Sequence, residues 1–127
     1  MRVLAAAAAL VSAAVHLWLW FDGVRHQDVV GVLFMVNAIA GALIAVLLVT
    51  WRHWVPLFLV VGFGASTLGA FIISTTVGLF GIHASWDGWD EWVAAAAEVL
   101  AIVAGSVAAY AEGWLTSVRA SLRKAED

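Results

Sequence analysis

Four apolar runs, each long enough to cross a bilayer, leave this chain of 127 residues few ways to fold. They extend over Val3 to Phe21, Val29 to Trp51, Val55 to Phe80 and Trp92 to Leu115. A helix needs about 20 apolar residues to cross a ~30 Å hydrocarbon core. The links between the runs, DGVRHQD, RHW and GIHASWDGWDE, are short, and short links join antiparallel neighbours. The expected fold is therefore all-α, an antiparallel up-down-up-down four-helix transmembrane bundle. Residues 1–127 form one integral membrane domain, with 116–127 as a basic cytoplasmic tail. The first run begins with Arg2 and a string of alanines, as a secretory leader would. It continues past the small-residue stretch VSAAV through HLWLWF, so it reads as a span.

Composition agrees. The chain is 65% hydrophobic and 12% charged, and six basic plus nine acidic residues cannot coat a soluble domain of this size. There is no cysteine, which excludes a disulfide framework and thiol chemistry. No basic cluster is large enough for nucleic acid; Arg119, Arg123 and Lys124 suit a membrane-flanking tail.

The basic residues also orient the bundle. With the N-terminus in the cytoplasm, Arg2, Arg52, Arg119, Arg123 and Lys124 fall inside and only Arg25 falls outside. This is the positive-inside pattern of a multi-pass protein of the cytoplasmic (inner) membrane, with both termini cytoplasmic. The tryptophans sort into two interfacial belts: Trp18, Trp20, Trp86, Trp89 and Trp92 on the outer side, and Trp51, Trp54 and Trp114 with Tyr110 on the inner.

Lipid tails are as apolar as leucine, so helix association in a membrane depends on close backbone approach and hydrogen bonding. Small residues are expected at the interfaces: alanines 5–9 on the first helix, Ala38, Gly41 and Ala45 on the second, Gly62, Ser66, Gly69 and Ala70 on the third, and Ala94, Ala101, Gly105 and Ala108 on the fourth. Such packing leaves little room for a wide pore through one protomer.

Five polar residues lie inside the runs, toward the outer side: His16, Asn37, Ser74, Thr75 and Glu98. Placing a carboxylate in hydrocarbon costs at least ~2.5–3.5 kcal/mol, so such groups face a bundle interior or a wet cavity. Glu98 shares a stripe with Ala94, Ala101 and Gly105, and His16 shares one with Ser12 and Ala13, so both are expected to face inward. They should approach each other or be joined by water, with Asn37 and the third-helix hydroxyls as further partners. One reading is a structural clamp holding the helices together; the other is a ligand or ion pocket. Around it lies an outer rim of Asp22, His26, His83, Trp86, Asp87, Trp89, Asp90 and Glu91. Those indoles also read as anchors. The carboxylates Asp87, Asp90 and Glu91 also read as caps and dipole partners for the fourth helix, with Asp87 at the cap. Glu112, near the inner boundary, can reach headgroups or the basic tail.

Metal and catalytic readings have less behind them. His26, His83, Asp22 and Asp87 could meet as a zinc or copper site, but no HxxxH or HExxH spacing supports it. Only His16 lies well within a span, which disfavours a haem held by two intramembrane histidines. There is no GxSxG, and no Ser–His pair has diagnostic spacing.

The stretches VHLWLW, GVLFMVNAIAGALIAVLL, WRHWVPLF and LGAFIISTTVGLFGIH resemble the short four-span bacterial integral membrane proteins of uncharacterised activity. That resemblance implies four spans and brings no activity with it. The segment VNAIAG is also similar to the asparagine-bearing helix of small fluoride channels. The third run, GFGASTLGAFIIST, lacks those channels' Thr-Thr-Phe-Ser-Thr break, and the first run has no matching arginine, so no channel residue transfers.

Three functions follow as expectations. The first is a binding or accessory protein whose outer polar pocket takes a small solute, a lipid or quinone headgroup, or a partner subunit. The second is a small proton- or ion-coupled transporter or channel, a dimer, using Glu98 and His16. The third is a membrane enzyme or redox-complex subunit using the same pair as acid and base. The expected partners are the lipid bilayer and a homodimer or larger membrane complex, with no nucleic acid. The residues identify no cofactor.

Overall fold

A computed structural model describes all residues 1–127. The chain is all-helical. Helices α1 (Arg2–Asp22), α2 (Asp28–Thr50), α3 (Trp54–Thr76) and α4 (Trp89–Ala111) are each long and apolar enough to cross a membrane. A short 3₁₀ turn (Val24–His26) joins α1 to α2, and a fifth helix, α5 (Trp114–Glu126), follows α4. Helix α1 packs broadly on α2 and α4, and α3 packs on α4. The α2–α3 seam is the slightest of these four interfaces.

Helix bounds differ from the apolar runs at three places. Helix α3 stops at Thr76, short of Phe80. The Thr75 and Thr76 hydroxyls bond back to the Ile72 carbonyl, and Gly78 enters the left-handed region at φ 88°, which ends the helix. Helix α4 begins at Trp89 rather than Trp92, so the acidic Asp90 and Glu91 occupy its first turn. The expected tail is itself helical. Gly113, at φ 79°, breaks α4 from α5. Leu115, Val118 and Leu122 form an exposed apolar stripe on α5, flanked along one edge by Arg119 and Arg123, with Lys124 opposite.

The core fills one half of the bundle. Ala5, Ala6, Ala8 and Ala9 of α1 meet Ile44, Ala45 and Leu48 of α2, Leu57, Val60 and Phe63 of α3, and Ala101, Ala104 and Ala108 of α4. Side chains this small let backbones approach closely. Gly41 sits against Ala9, Ala13 and Phe63, and Gly105 sits against Val60 and Val61. On α3 the expected contact residues are corrected. Gly62 and Gly69 have open space beside them, and Ser66 is exposed. The close approach falls at Gly64, where an added Cβ would lie 2.7 Å from the Glu98 carbonyl oxygen.

Arg2 closes this end. Its Nε donates to Glu112 Oε1 and Oε2 at 3.1 and 2.8 Å, and its Nη2 donates to Oε1 at 3.0 Å. Nη1 and Nη2 also reach the carbonyls of Trp51 and His53 at 3.1 and 2.7 Å. One guanidinium thus ties the start of α1, the α2–α3 link and the residue after α4. Its hydrogen bonds, and its charge beside them, hold the Glu112 carboxyl below its usual pKa. Around it His53 stacks on Trp51 at 4.9 Å and lies 5.8 Å from Trp114.

Candidate functional site

At the opposite end the bundle opens. A cavity of about 610 Å³ is bounded by all four long helices and by the segment after α3. Its walls are mainly apolar, and Phe34, Phe63 and Phe71 are among them. His16, Asn37, Ser66, Thr67, Ser74 and Glu98 bring polar groups to it from separate helices. Asp90 and Glu91 lie nearer the start of α4, Glu98 being eight residues on, about 12 Å along the helix axis.

The deepest polar groups form a chain. Ser12 Oγ donates to Glu98 Oε1 at 3.4 Å and lies 3.5 Å from His16 Nδ1. His16 Nδ1–H donates to the Ser12 carbonyl at 2.7 Å. Ser12, one turn before His16, therefore bridges the histidine to the carboxyl. Glu98 is 2% exposed, and Ser12 is fully buried. With Nδ1 on the Ser12 carbonyl, Nε2 is the ring nitrogen left for another partner. The imidazole leans on Phe34, with ring centroids 4.8 Å apart.

A second polar group stands across the cavity. Asn37 Nδ2 donates to Thr67 Oγ1 at 2.9 Å, joining α2 to α3 across the slightest of the four helix interfaces. Its Oδ1 is buried with no protein partner. An amide oxygen left so costs about 1–3 kcal/mol, which a ligand donor would recover.

The third-helix hydroxyls do not join His16 and Glu98. Ser74 Oγ donates to the Ile82 carbonyl at 3.0 Å and accepts from the Ala84 N–H at 3.2 Å. It pins the segment 77–88, which folds over the cavity through a two-bond bridge between Leu79 and Ile82. Thr75 is half-buried, bonds the Ile72 carbonyl of its own helix and does not line the cavity.

The rim residues separate into different roles. Trp86 packs edge-on against Phe71 at 4.6 Å and lies 4.7 Å from Trp92, whose Nε1–H donates to the Trp86 carbonyl at 3.0 Å. Trp89 meets Trp18 of α1 at 5.4 Å. Indoles expected as rim and anchor residues thus also hold the segment onto the helices. His83 lines the cavity and covers Gly78, where any side chain would strike the imidazole. Gly88, not Asp87, is the N-cap of α4, and the Asp90 and Glu91 carboxylates fold back over it. Asp22, His26 and Asp87 are exposed and do not line the cavity. No three histidine or acidic side chains come together in the arrangement a metal would require.

Ser12 and Thr67 are the site residues the sequence reading passed over. Thr67 shares an i, i+3, i+7 stripe with Ala70 and Ser74, and that periodicity could have found it. Ser12 precedes His16 by four residues, the spacing of facing neighbours on a helix. No known family model, curated protein or solved structure matches this chain. The functional reading therefore rests on the site.

Proposed function

We propose that this chain is a small integral membrane binding protein whose cavity accepts one membrane-soluble molecule carrying a polar group. The observation that carries this reading is the cavity of about 610 Å³, apolar in its walls and set with His16, Asn37 and Glu98 from three helices. Ligand sites have this character and this size, roughly 300–1,000 Å³. A structural clamp needs the Ser12 bridge but does not need a cavity beside it.

The four long helices run up, down, up and down across the cytoplasmic membrane in this reading, with both termini inside. Support comes from the Arg2 hydrogen bonds, which gather the α1 start, the α2–α3 link and the α4 end in one place. The basic residues Arg2, Arg52, Arg119, Arg123 and Lys124 then share the cytoplasmic side. Helix α5 lies along that interface with Leu115, Val118 and Leu122 toward the acyl chains and its basic residues toward anionic headgroups. The cavity faces outward. The alanine-rich core below it argues against a continuous channel through one copy.

The test is mass spectrometry of the intact protein released gently from native membranes, with an absorption spectrum of the same sample. Wild type should carry a bound small molecule. Ala94→Leu or Ala70→Phe, which fill the cavity, should lose it while melting within a few degrees of wild type. A wild-type protein that carries nothing, and accepts nothing from a membrane extract, would remove the binding reading.

A further inference from the structure

We infer that the ligand is a lipophilic organic cation, an ammonium or phosphonium-like centre carrying apolar groups; this rests on the cavity being a binding site. Three features select the sign of charge. First, the carboxyls of Glu98, Asp90 and Glu91 line the cavity, and no lysine or arginine does. Arg25, the one arginine or lysine near that end, lies 6.0 Å from the Trp20 ring and outside the lining, which leaves His16 and His83 as its basic residues. Second, the three carboxyls are not equivalent. Asp90 and Glu91 turn back over Gly88, against the positive end of α4. Glu98 lies deeper, with the Ser12 hydroxyl as its bond and no salt-bridge partner; His16 is joined to it only through Ser12. A buried carboxyl ionises at least cost beside a cation, so an entering cation supplies the direct partner that the fold omits.

Third, the remaining contacts suit a cation rather than an anion. The Oδ1 of Asn37 is a buried acceptor with no donor, and Phe34, Phe63 and Phe71 put aromatic rings in the walls, a ring type that attracts positive charge over its face. An anion would meet three acidic residues and an orphaned acceptor, with only His16 and His83 to set against them. A neutral molecule would leave Glu98 with the Ser12 hydroxyl as its one bond.

The slight α2–α3 seam adds a way in. Asn37 and Thr67 bond across it, and both line the cavity. A ligand dissolved in the bilayer could reach Glu98 there without crossing water.

The experiment measures binding of tetraphenylphosphonium and of tetraphenylborate, which share shape and size and differ in sign. Wild type, Glu98→Gln and Ala94→Leu are each placed in zwitterionic lipid nanodiscs, and empty nanodiscs give the background partitioning. The cation should saturate at one site per chain, with affinity above the anion's by about tenfold or more after background correction. Glu98→Gln should lose about tenfold in cation affinity and leave the anion unchanged. Equal saturable binding of both ions to wild type would overturn the cation assignment and leave the binding site standing. So would a failure of both ions where a neutral molecule co-purifies and Ala94→Leu loses it. Failure of both ions with nothing co-purified would sink both readings. Because wild type alone discriminates cation from anion, the assignment stands or falls even if Glu98→Gln does not fold.

Discussion

At the level of single residues, two buried polar groups carry most of the risk in this molecule. Arg2 is 8% exposed and has its three nitrogens on a carboxylate and on backbone carbonyls. Replacing Glu112 by Gln keeps the shape and one acceptor oxygen and removes the charge; with the Glu112 side chain 31% exposed, solvent screens the pair and the loss is about 1 kcal/mol. Glu112→Gln should therefore lower the melting temperature measurably near pH 7. The pH dependence follows from the lowered pKa of Glu112, whose ordinary value is 4.5. Its contribution is present above the unfolded value and is lost as pH falls through the lowered folded value. Wild type should thus lose stability on acidification below about pH 4.5 more steeply than Glu112→Gln, in melts from pH 7 to 3. A parallel loss in both would show that the ion pair adds nothing. Ser12→Ala strips Glu98 of its hydroxyl and should cost about 1–3 kcal/mol, read by the same melts.

These residues also show what the sequence could disclose. Glu98 and His16 stand out because polar groups in apolar runs are conspicuous, and periodicity turned both inward. The link between them was visible only in part, since Ser12 was noticed as a small neighbour and not as a bridge. Arg2 and Glu112 were assigned to a membrane side. Charge rules give the side of a basic residue but not its partner, and this partner is 110 positions away.

Among the elements, α3 gives the clearest contrast. Gly62 and Gly64 are two residues apart and face different surroundings. Alanine at 64 would press on the Glu98 carbonyl and force α3 from α4, at a cost of about 1–3 kcal/mol. Alanine at 62 meets nothing, and the gain in helix propensity is about 0.5–1 kcal/mol. Gly64→Ala should melt below wild type and Gly62→Ala at or above it; the reverse order would mean that the α3 face has been misassigned. Composition alone could not choose between these glycines, because α3 is apolar on nearly every side. Its end was misjudged for a related reason. Hydropathy continues through Val77, Leu79 and Phe80, and only the backbone at Gly78 and the hydroxyl bonds of Thr75 and Thr76 end the helix. The segment beyond it depends on Ser74. Ser74→Ala should expose 77–88 to faster hydrogen exchange and proteolysis while leaving the α1 and α2 amides unchanged.

For the molecule as a whole, the cysteine-free sequence allows a direct test of orientation. Single cysteines at exposed Ser85 and Ser121 should react differently with a membrane-impermeant maleimide. Ser85→Cys should label in intact cells, and Ser121→Cys only after permeabilisation. The opposite pattern would invert the bundle and put the cavity on the cytoplasmic side. Four long apolar helices were readable from hydropathy, and the general position of the polar cluster followed from where the helices had to end. The division of the bundle into a filled half and a hollow half was not readable. It depends on which faces meet, and a chain this apolar offers several nearly equivalent faces.

The ion pair between Arg2 and Glu112 sets an order of events during biogenesis. Its two members lie 110 positions apart, so the guanidinium is synthesised long before its carboxylate and keeps temporary partners until Glu112 emerges. Folding then exchanges those partners for a permanent one, a latch that shuts only when the start of α1 and the end of α4 have met.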